Sequence, residues 1–204
     1  MDKTIYIVDD EESVIASLQN LLSSEGYQVS TFLSPSAFLD QADYSTPCCL
    51  IVDLNMPGLD GFDVSLHLTE RGYSIPTIFL TGYGTIPLTV RAMKAGAFEF
   101  LTKPVMPDAL LRVVSEALAL SEKCALASQE KRAMTARFSS LTPREKELMQ
   151  YVIRGLLNKQ VAAEMGISEI TAKVHKRRVM EKMAVRSVSD LVRAAEKLGL
   201  PEQS

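Results

Sequence analysis

From residue 4 to about 119, short apolar runs alternate with segments whose apolar positions recur every three to four residues. The runs near 4–8, 28–32, 48–52, 77–80 and 98–101 predict five short strands bounded by turn residues. Between the first two, Ser13 to Ser24 places Val14, Leu18, Leu21 and Leu22 on one helical face. Residues 35–42, 61–69 and 86–95 predict the next crossover helices. A fifth helix is expected over 107–120, with Pro107 in its first turn, where a missing N–H costs nothing. Strictly alternating strands and helices predict an α/β fold, a doubly wound five-stranded parallel sheet complete within about 120 residues.

The pattern then changes. Residues 121–138 lack Gly and Pro and are rich in Ala, Glu, Lys and Gln, which suits a helical extension. A solvated, partly frayed linker fits the same composition, and the two readings stand level. From Leu141 onward only helical periods occur. Thr142, Pro143 and Glu145 form a capping box that opens one helix. A second, about 158–165, stops at Gly166; Ser168 caps a third over about 169–183; Ser187 or Ser189 starts a fourth that ends at Gly199. Helix, glycine turn, helix is the helix-turn-helix plan. The expected organisation is therefore a domain at 1–120, a linker at 121–138, and a small all-α four-helix domain at 139–204.

Charge sharpens this division. The net charge of −3 over 204 residues conceals two opposed halves. Residues 1–120 hold 15 acids and 6 bases, a net of −9, whereas 121–204 hold 10 acids and 16 bases, a net of +6. A basic helical module attached to an acidic α/β domain is a candidate for nucleic-acid binding. Cys48, Cys49 and Cys124 suit neither a disulfide framework nor zinc spacing. No apolar run approaches a membrane span, and the first residues lead straight into a strand, so a cytoplasmic protein without membrane contact is expected.

The chemistry sits where strands end. Asp9 and Asp10 follow the first apolar run, Asp53 follows the third, and Lys103 follows the last. In an open parallel sheet these positions share the edge at which ligands bind. Three carboxylates crowded there ask for a divalent cation, with Lys103 as a further counter-charge. Each residue alone has a plainer role: an acid can cap the next helix, Thr81 can be a turn residue, and a Lys before Pro can simply be solvated. Their coincidence on one edge carries the reading.

Residues 5–104 resemble a response-regulator receiver domain through Ile7-Val8-Asp9-Asp10-Glu11, Asp53-Leu54-Asn55-Met56-Pro57 continuing to Gly61, Leu80-Thr81-Gly82 and Lys103-Pro104. With the C-terminal module, the chain resembles the FixJ-type branch of the regulators with a NarL/LuxR output. The resemblance implies that Asp53 is the phosphoacceptor and becomes an acyl phosphate. It implies Mg²⁺ held by Asp9 or Asp10, by Asp53 and by the backbone carbonyl of Asn55, with Asp10 a direct ligand and Asp9 acting through water. Lys103 would pair with the phosphoryl oxygens and Thr81 would donate its hydroxyl to them. Phe100 would be an aromatic switch coupled to Thr81, although an aromatic in a buried sheet is otherwise plain packing. A cis Lys103–Pro104 bond is implied as well. The face near 86–95, 98–101 and 107–119 carries Arg91, Lys94, Glu99, Asp108 and Arg112, mixed charges that suit a two-fold contact.

In the third C-terminal helix, Ala172, His175, Val179 and Met183 recur as a buried seam. Lys173, Val174, Lys176 and Arg177 then face outward near its start, where a helix-turn-helix meets base edges. Lys173 and Arg177 are candidates for base or phosphate contact and Val174 for a thymine methyl. Lys176, Arg178 and Lys182 are expected to meet phosphates or stay solvated. Leu141-Thr142-Pro143-Arg144-Glu145 matches the LuxR-type signature. At Ala172 the family often carries Val, so slightly looser packing is expected there. His175 is assigned a structural role, and His67 has no visible partner. The implied function is a two-component transcription regulator: a sensor histidine kinase phosphorylates Asp53, the chain homodimerises, and it binds a two-fold promoter site in duplex DNA. No enzyme activity beyond self-dephosphorylation is implied. A haloacid-dehalogenase-type phosphatase would need a second Asp two residues beyond its nucleophile, where Asn55 stands. A receiver whose output is protein contact, its basic module meeting an acidic partner, remains the other alternative.

Overall fold

The computed structural model describes residues 3–82 and 84–200. It separates into two compact units, 1–125 and 126–204. In the first, β1 (Thr4–Val8), α1 (Glu12–Ser24), β2 (Gln28–Phe32), α2 (Pro35–Gln41), β3 (Cys48–Asp53), α3 (Gly61–Glu70), β4 (Thr77–Thr81), α4 (Ile86–Lys94) and β5 (Glu99–Thr102) alternate as the apolar pattern predicts. α5 then runs over Pro107–Ser139, so residues 121–138 are helical. The sheet is wholly parallel, in the order β2-β1-β3-β4-β5.

Side-chain alternation along the strands divides the core into two layers. Ile5, Ile7, Cys49, Ile51, Ile78 and Leu80 face α1 and α5, meeting Ile15, Leu18, Leu22, Leu110, Val114 and Leu118. Tyr6, Val8, Leu50, Val52 and Phe79 face the opposite way onto Phe38 of α2, Phe62, Val64 and Leu68 of α3, and Ala92 of α4. On α1 the deepest residue at the start is Ile15; Val14 and Leu21 lie at the margin. β3, central and buried throughout, ends at Asp53. Burial pushes the Cys48 thiol up to about 11 and the Cys49 thiol higher still, leaving both unreactive.

In the second unit α6 (Pro143–Ile153), α7 (Asn158–Met165), α8 (Glu169–Met183) and α9 (Val188–Lys197) enclose one core built around Leu148, Val152, Val161, Val179, Met183 and Leu191. Met134 and Phe138, from the last turns of α5, pack at its margin. Gly166 takes the left-handed conformation (φ 65°) that ends α7 and makes the turn into α8. α8 ends the same way at Ala184 (φ 54°), a position with no glycine to announce it. Among the described residues no helix is long and apolar enough to cross a membrane.

Candidate functional site

The first unit gathers the strand-end residues into one acidic pocket. Asp9 follows β1 and is fully buried, its backbone tied to Phe32 at the end of β2. One carboxylate oxygen of Asp9, Oδ1, accepts from the backbone N–H of Glu11 at 2.9 Å. The other, Oδ2, lies 2.7 Å from Lys103 Nζ as a buried ion pair. The ammonium also meets Asp53 Oδ1 at 3.1 Å and Glu11 Oε1 at 3.5 Å. Asp53 Oδ2 accepts from the N–H of Asn55 at 3.0 Å, which orders the loop beyond β3. Asp10 is exposed at the rim.

Electrostatics follow from this crowding. Burial raises the Asp9 pKa, against the opposing pull of Lys103 and the Glu11 amide. For Lys103 burial works the other way, but the Asp9 and Asp53 carboxylates outweigh it and its pKa is raised. Oxygen atoms of Asp9, Asp10 and Asp53 all lie within 4.8 Å of one another. Hard oxygen donors at that spacing, with the buried Asp9 Oδ2 met only by the Lys103 ammonium, fit a Mg²⁺ ion.

The elements behind the pocket hold it tightly. A Cβ at Gly61 would stand 2.6 Å from the Asp53 carbonyl oxygen, so α3 begins against the back of that residue because position 61 has no side chain. Asp60 caps α3 through a reciprocal box with Asp63. Thr81 is fully buried at the end of β4, and its carbonyl accepts from the Lys103 N–H at 2.7 Å. The Lys103–Pro104 bond is cis. Phe100 is half-buried against the core layer beneath α4.

Some expected positions are occupied differently. His67 has a partner after all: its Nδ1 donates to the Asp63 carbonyl one turn back, at 2.8 Å. Arg91 leans toward α3, its guanidinium 4.3 Å from the centre of the Phe62 ring and 3.9 Å from Asp60. The sequence gives no sign that Glu11 partners Lys103, because nothing marks it within the acidic run. α4 also exposes Ile86, Val90 and Met93, spaced i, i+4, i+7 on one face. That spacing is readable in the sequence once α4 is placed.

In the second unit α8 buries Ala172, Val179 and Met183 and leaves Lys173, Val174, Arg177 and Arg178 exposed. Ala172 is closed off within the core despite its small side chain. His175 is half-buried on the seam side with no partner at Nδ1. Lys176 is half-buried at the flank, while Arg177 holds Glu181 at 2.8 Å. Lys182 departs from the expectation of a phosphate-facing or solvated side chain. It bonds Glu145 at 2.6 Å and the Ser140 carbonyl at 3.4 Å. Glu145, buried, also accepts from the Thr142 N–H at 2.9 Å, and Lys182 holds its carboxyl below the usual range. One carboxylate thus caps α6 and fastens α8 to it.

Comparison with known proteins bears on both units. The profile of the response regulator receiver domain matches residues 5–115, and that of the bacterial regulatory proteins of the luxR family matches residues 139–195. Response regulator protein TmoT of Ectopseudomonas mendocina is 43% identical over 197 residues, covering 97% of this chain and 90% of TmoT. Transcriptional regulatory protein FixJ of Bradyrhizobium diazoefficiens is 38% identical over 196 residues, 96% of each chain. The solved structure of response regulator StyR is 44% identical with a TM-score of 0.89, covering 97% of this chain and all of that one.

Proposed function

The chain belongs to the response regulators that join a receiver domain to a LuxR-type DNA-binding domain, and from that premise we propose that Asp53 is its phosphoacceptor and that phosphorylation controls binding to promoter DNA. The observation that carries the proposal is the buried Asp53 carboxylate, 3.1 Å from an ammonium shared with buried Asp9. An oxygen of Asp53 attacks the phosphorus of a phosphohistidine on a sensor histidine kinase. The new O–P bond forms as the P–N bond breaks, and the imidazole leaves with the electron pair.

The pocket residues have separate tasks in this transfer. Asp9, Asp10, Asp53 and the Asn55 carbonyl would hold Mg²⁺, which when bound supplies positive charge to the phosphoryl oxygens. Lys103 turns from the carboxylates to those oxygens, and the Thr81 hydroxyl donates to them. Phe100 packs inward as Thr81 moves. The face that carries the apolar stripe Ile86, Val90 and Met93, with Lys94, Glu99, Asp108 and Arg112, then pairs with a second copy. Exposed apolar side chains flanked by both signs of charge suit a self-complementary two-fold contact.

On this reading residues 1–120 receive the signal, 121–138 connect, and 139–204 bind a two-fold site in duplex DNA from the cytoplasm. Lys173, Val174 and Arg177 would meet base edges, and Lys176 a phosphate from its half-buried flank position. On this reading the chain is no enzyme, and its catalysis extends at most to self-dephosphorylation by water.

The test is incubation with a small-molecule phosphodonor and Mg²⁺, on the native chain and on Asp53→Asn, followed by sedimentation and DNA binding. The native chain is expected to take one acid-stable, base-labile phosphoryl group, to dimerise and to bind more tightly. Equal labelling of Asp53→Asn would overturn the assignment.

A further inference from the structure

The outward face of α8 has an unexpected centre. At about 100° per residue, Val179 and Met183 lie roughly 180° and 220° around the helix from Ile170. Ile170 therefore stands directly opposite the buried seam, with Val174 about 40° to one side and Arg177 about 20° to the other. Ile170 is 78% exposed and Val174 46%. Both are β-branched, one turn apart, in the part of the helix that follows the Ser168 cap. Neither is counted in the core of the unit or at its margin.

A lone exposed apolar residue needs no explanation, but this pair has a particular setting. Lys173 and Arg177 adjoin it on the same face, with Lys176 and Arg178 on the flanks. An apolar ridge inside a cationic border is complementary to a surface that is anionic outside and apolar in patches within. Duplex DNA has that character: phosphates line the groove, and along the major-groove edges the thymine C5 methyl is the apolar group. A membrane surface would favour a broad apolar face, whereas only two residues wide of apolar contact are offered here.

We propose that Ile170 is a specificity-determining residue which, together with Val174, reads the methyl groups of two thymines in each half-site. The inference rests on the DNA-binding reading above and adds a residue to it. Four residues of helix advance about 6 Å, close to two base-pair steps of about 3.4 Å. The two methyls accordingly belong to thymines separated by no more than about two steps, on either strand. Neither contact involves phosphate, so neither contributes to the salt dependence of binding.

The experiment selects binding sites from a random duplex library with the phosphorylated full-length chain, then replaces each thymine of the selected half-site by deoxyuridine, which lacks only the methyl. Two nearby thymines are expected to be methyl-sensitive, each losing roughly three- to fourfold in affinity, the value of one buried methyl group. Ile170→Ala should abolish the sensitivity at one of them and leave the salt slope unchanged, while Ile170→Val retains it. Circular dichroism of each variant confirms the fold, which an exposed position should not disturb. Uniform indifference to deoxyuridine, or full methyl sensitivity in Ile170→Ala, overturns the role of Ile170 while leaving DNA binding intact. A library that yields no preferred sequence overturns base reading by α8 as a whole.

Discussion

Replacing Lys103 by Met removes an ammonium while keeping most of its stem, and the pocket sets the cost. Asp9 and Asp53 lose a counter-charge at 2.7 and 3.1 Å, and Asp9 is fully buried. Removing one partner of a buried ion pair costs about 3–5 kcal/mol. The Lys103 side chain keeps some solvent contact and Asp9 can take up a proton, so the lower end, about 3 kcal/mol, is expected at neutral pH. The pH dependence has a definite sign. Burial already lifts Asp9 above its ordinary 3.8, and losing Lys103 removes two influences that hold it down. A folded-state pKa above the unfolded one means that the protonated form is favoured by folding. The penalty is therefore absent below pH 3.8 and grows as pH rises through the lifted value.

Urea denaturation followed by circular dichroism, at pH 4 and pH 7.5, with and without MgCl₂, reads this directly. Hydrogen exchange of the β3 amides assigns the change to the first unit. The gap between native chain and variant should narrow at pH 4 and should narrow at pH 7.5 when Mg²⁺ is added, because the ion replaces the lost charge. In the native chain the raised Lys103 pKa means that its own contribution persists up to its ordinary 10.5 and is lost only as pH rises beyond it. A gap that is the same at both pH values and indifferent to Mg²⁺ would refute the electrostatic argument and leave Lys103 as mere packing.

Two further substitutions test the supports of each unit. Gly61→Ala forces a methyl to 2.6 Å from the Asp53 carbonyl, so α3 or the end of β3 must shift; a loss of about 1–3 kcal/mol and slower labelling by a phosphodonor are expected, checked by denaturation and by rate of phosphorylation. Lys182→Met leaves the Glu145 carboxylate buried without its cation. Because Lys182 is partly exposed, a loss of about 1–2 kcal/mol is expected at neutral pH. Lys182 depresses the Glu145 pKa, so its contribution is present above the ordinary 4.5 and lost as pH falls through the folded value; the variant's deficit should vanish in acid, measured on the thermal unfolding of the full chain.

Strand positions are legible where the run is continuously apolar, as in β1 and β3, and in β2 (Gln28–Phe32) only through its position between marked turns and its β-branched and aromatic residues. On α1, Val14, Ile15, Leu18, Leu21 and Leu22 together span about 120° of the helix, so periodicity alone does not say which edge of that arc is deepest. Packing selects Ile15, Leu18 and Leu22. Residues 121–138 have a composition equally at home in a helix or a solvated tether, and α5 runs through them. Within the pocket, charged residues at strand ends could be placed from sequence, since the parallel order brings those ends together. The pairing of Glu145 with Lys182, 37 residues apart, could not. It depends on how α6 and α8 pack, and no local period encodes that.

The way a change in charge would leave the pocket is set by the main chain. Thr81 and Lys103 are directly bonded through their backbones at 2.7 Å, and β4 and β5 pair Thr81 with Thr102 and Phe79 with Phe100. A displacement of either pocket residue would therefore bear on Phe100, which lies three residues before Lys103 and two before Thr102, the strand partner of Thr81. β3, which carries Asp53, is paired on both sides and buried along its length, so it has little freedom to relay anything. β5, like β2 at the other end, is an edge of the sheet, laddered on one side only and partly exposed. Elements with few buried contacts and one-sided pairing lie at the low end of local stability, and they move first. Beside it, α4 buries a single residue, Ala92, while exposing Ile86, Val90 and Met93. With the proposed phosphoacceptor on a strand paired on both sides and Lys103 just beyond an edge strand, a change of ion pairing in the pocket would pass into β5 before β3, and α4, which packs beside β5, is the helix with unpartnered apolar side chains.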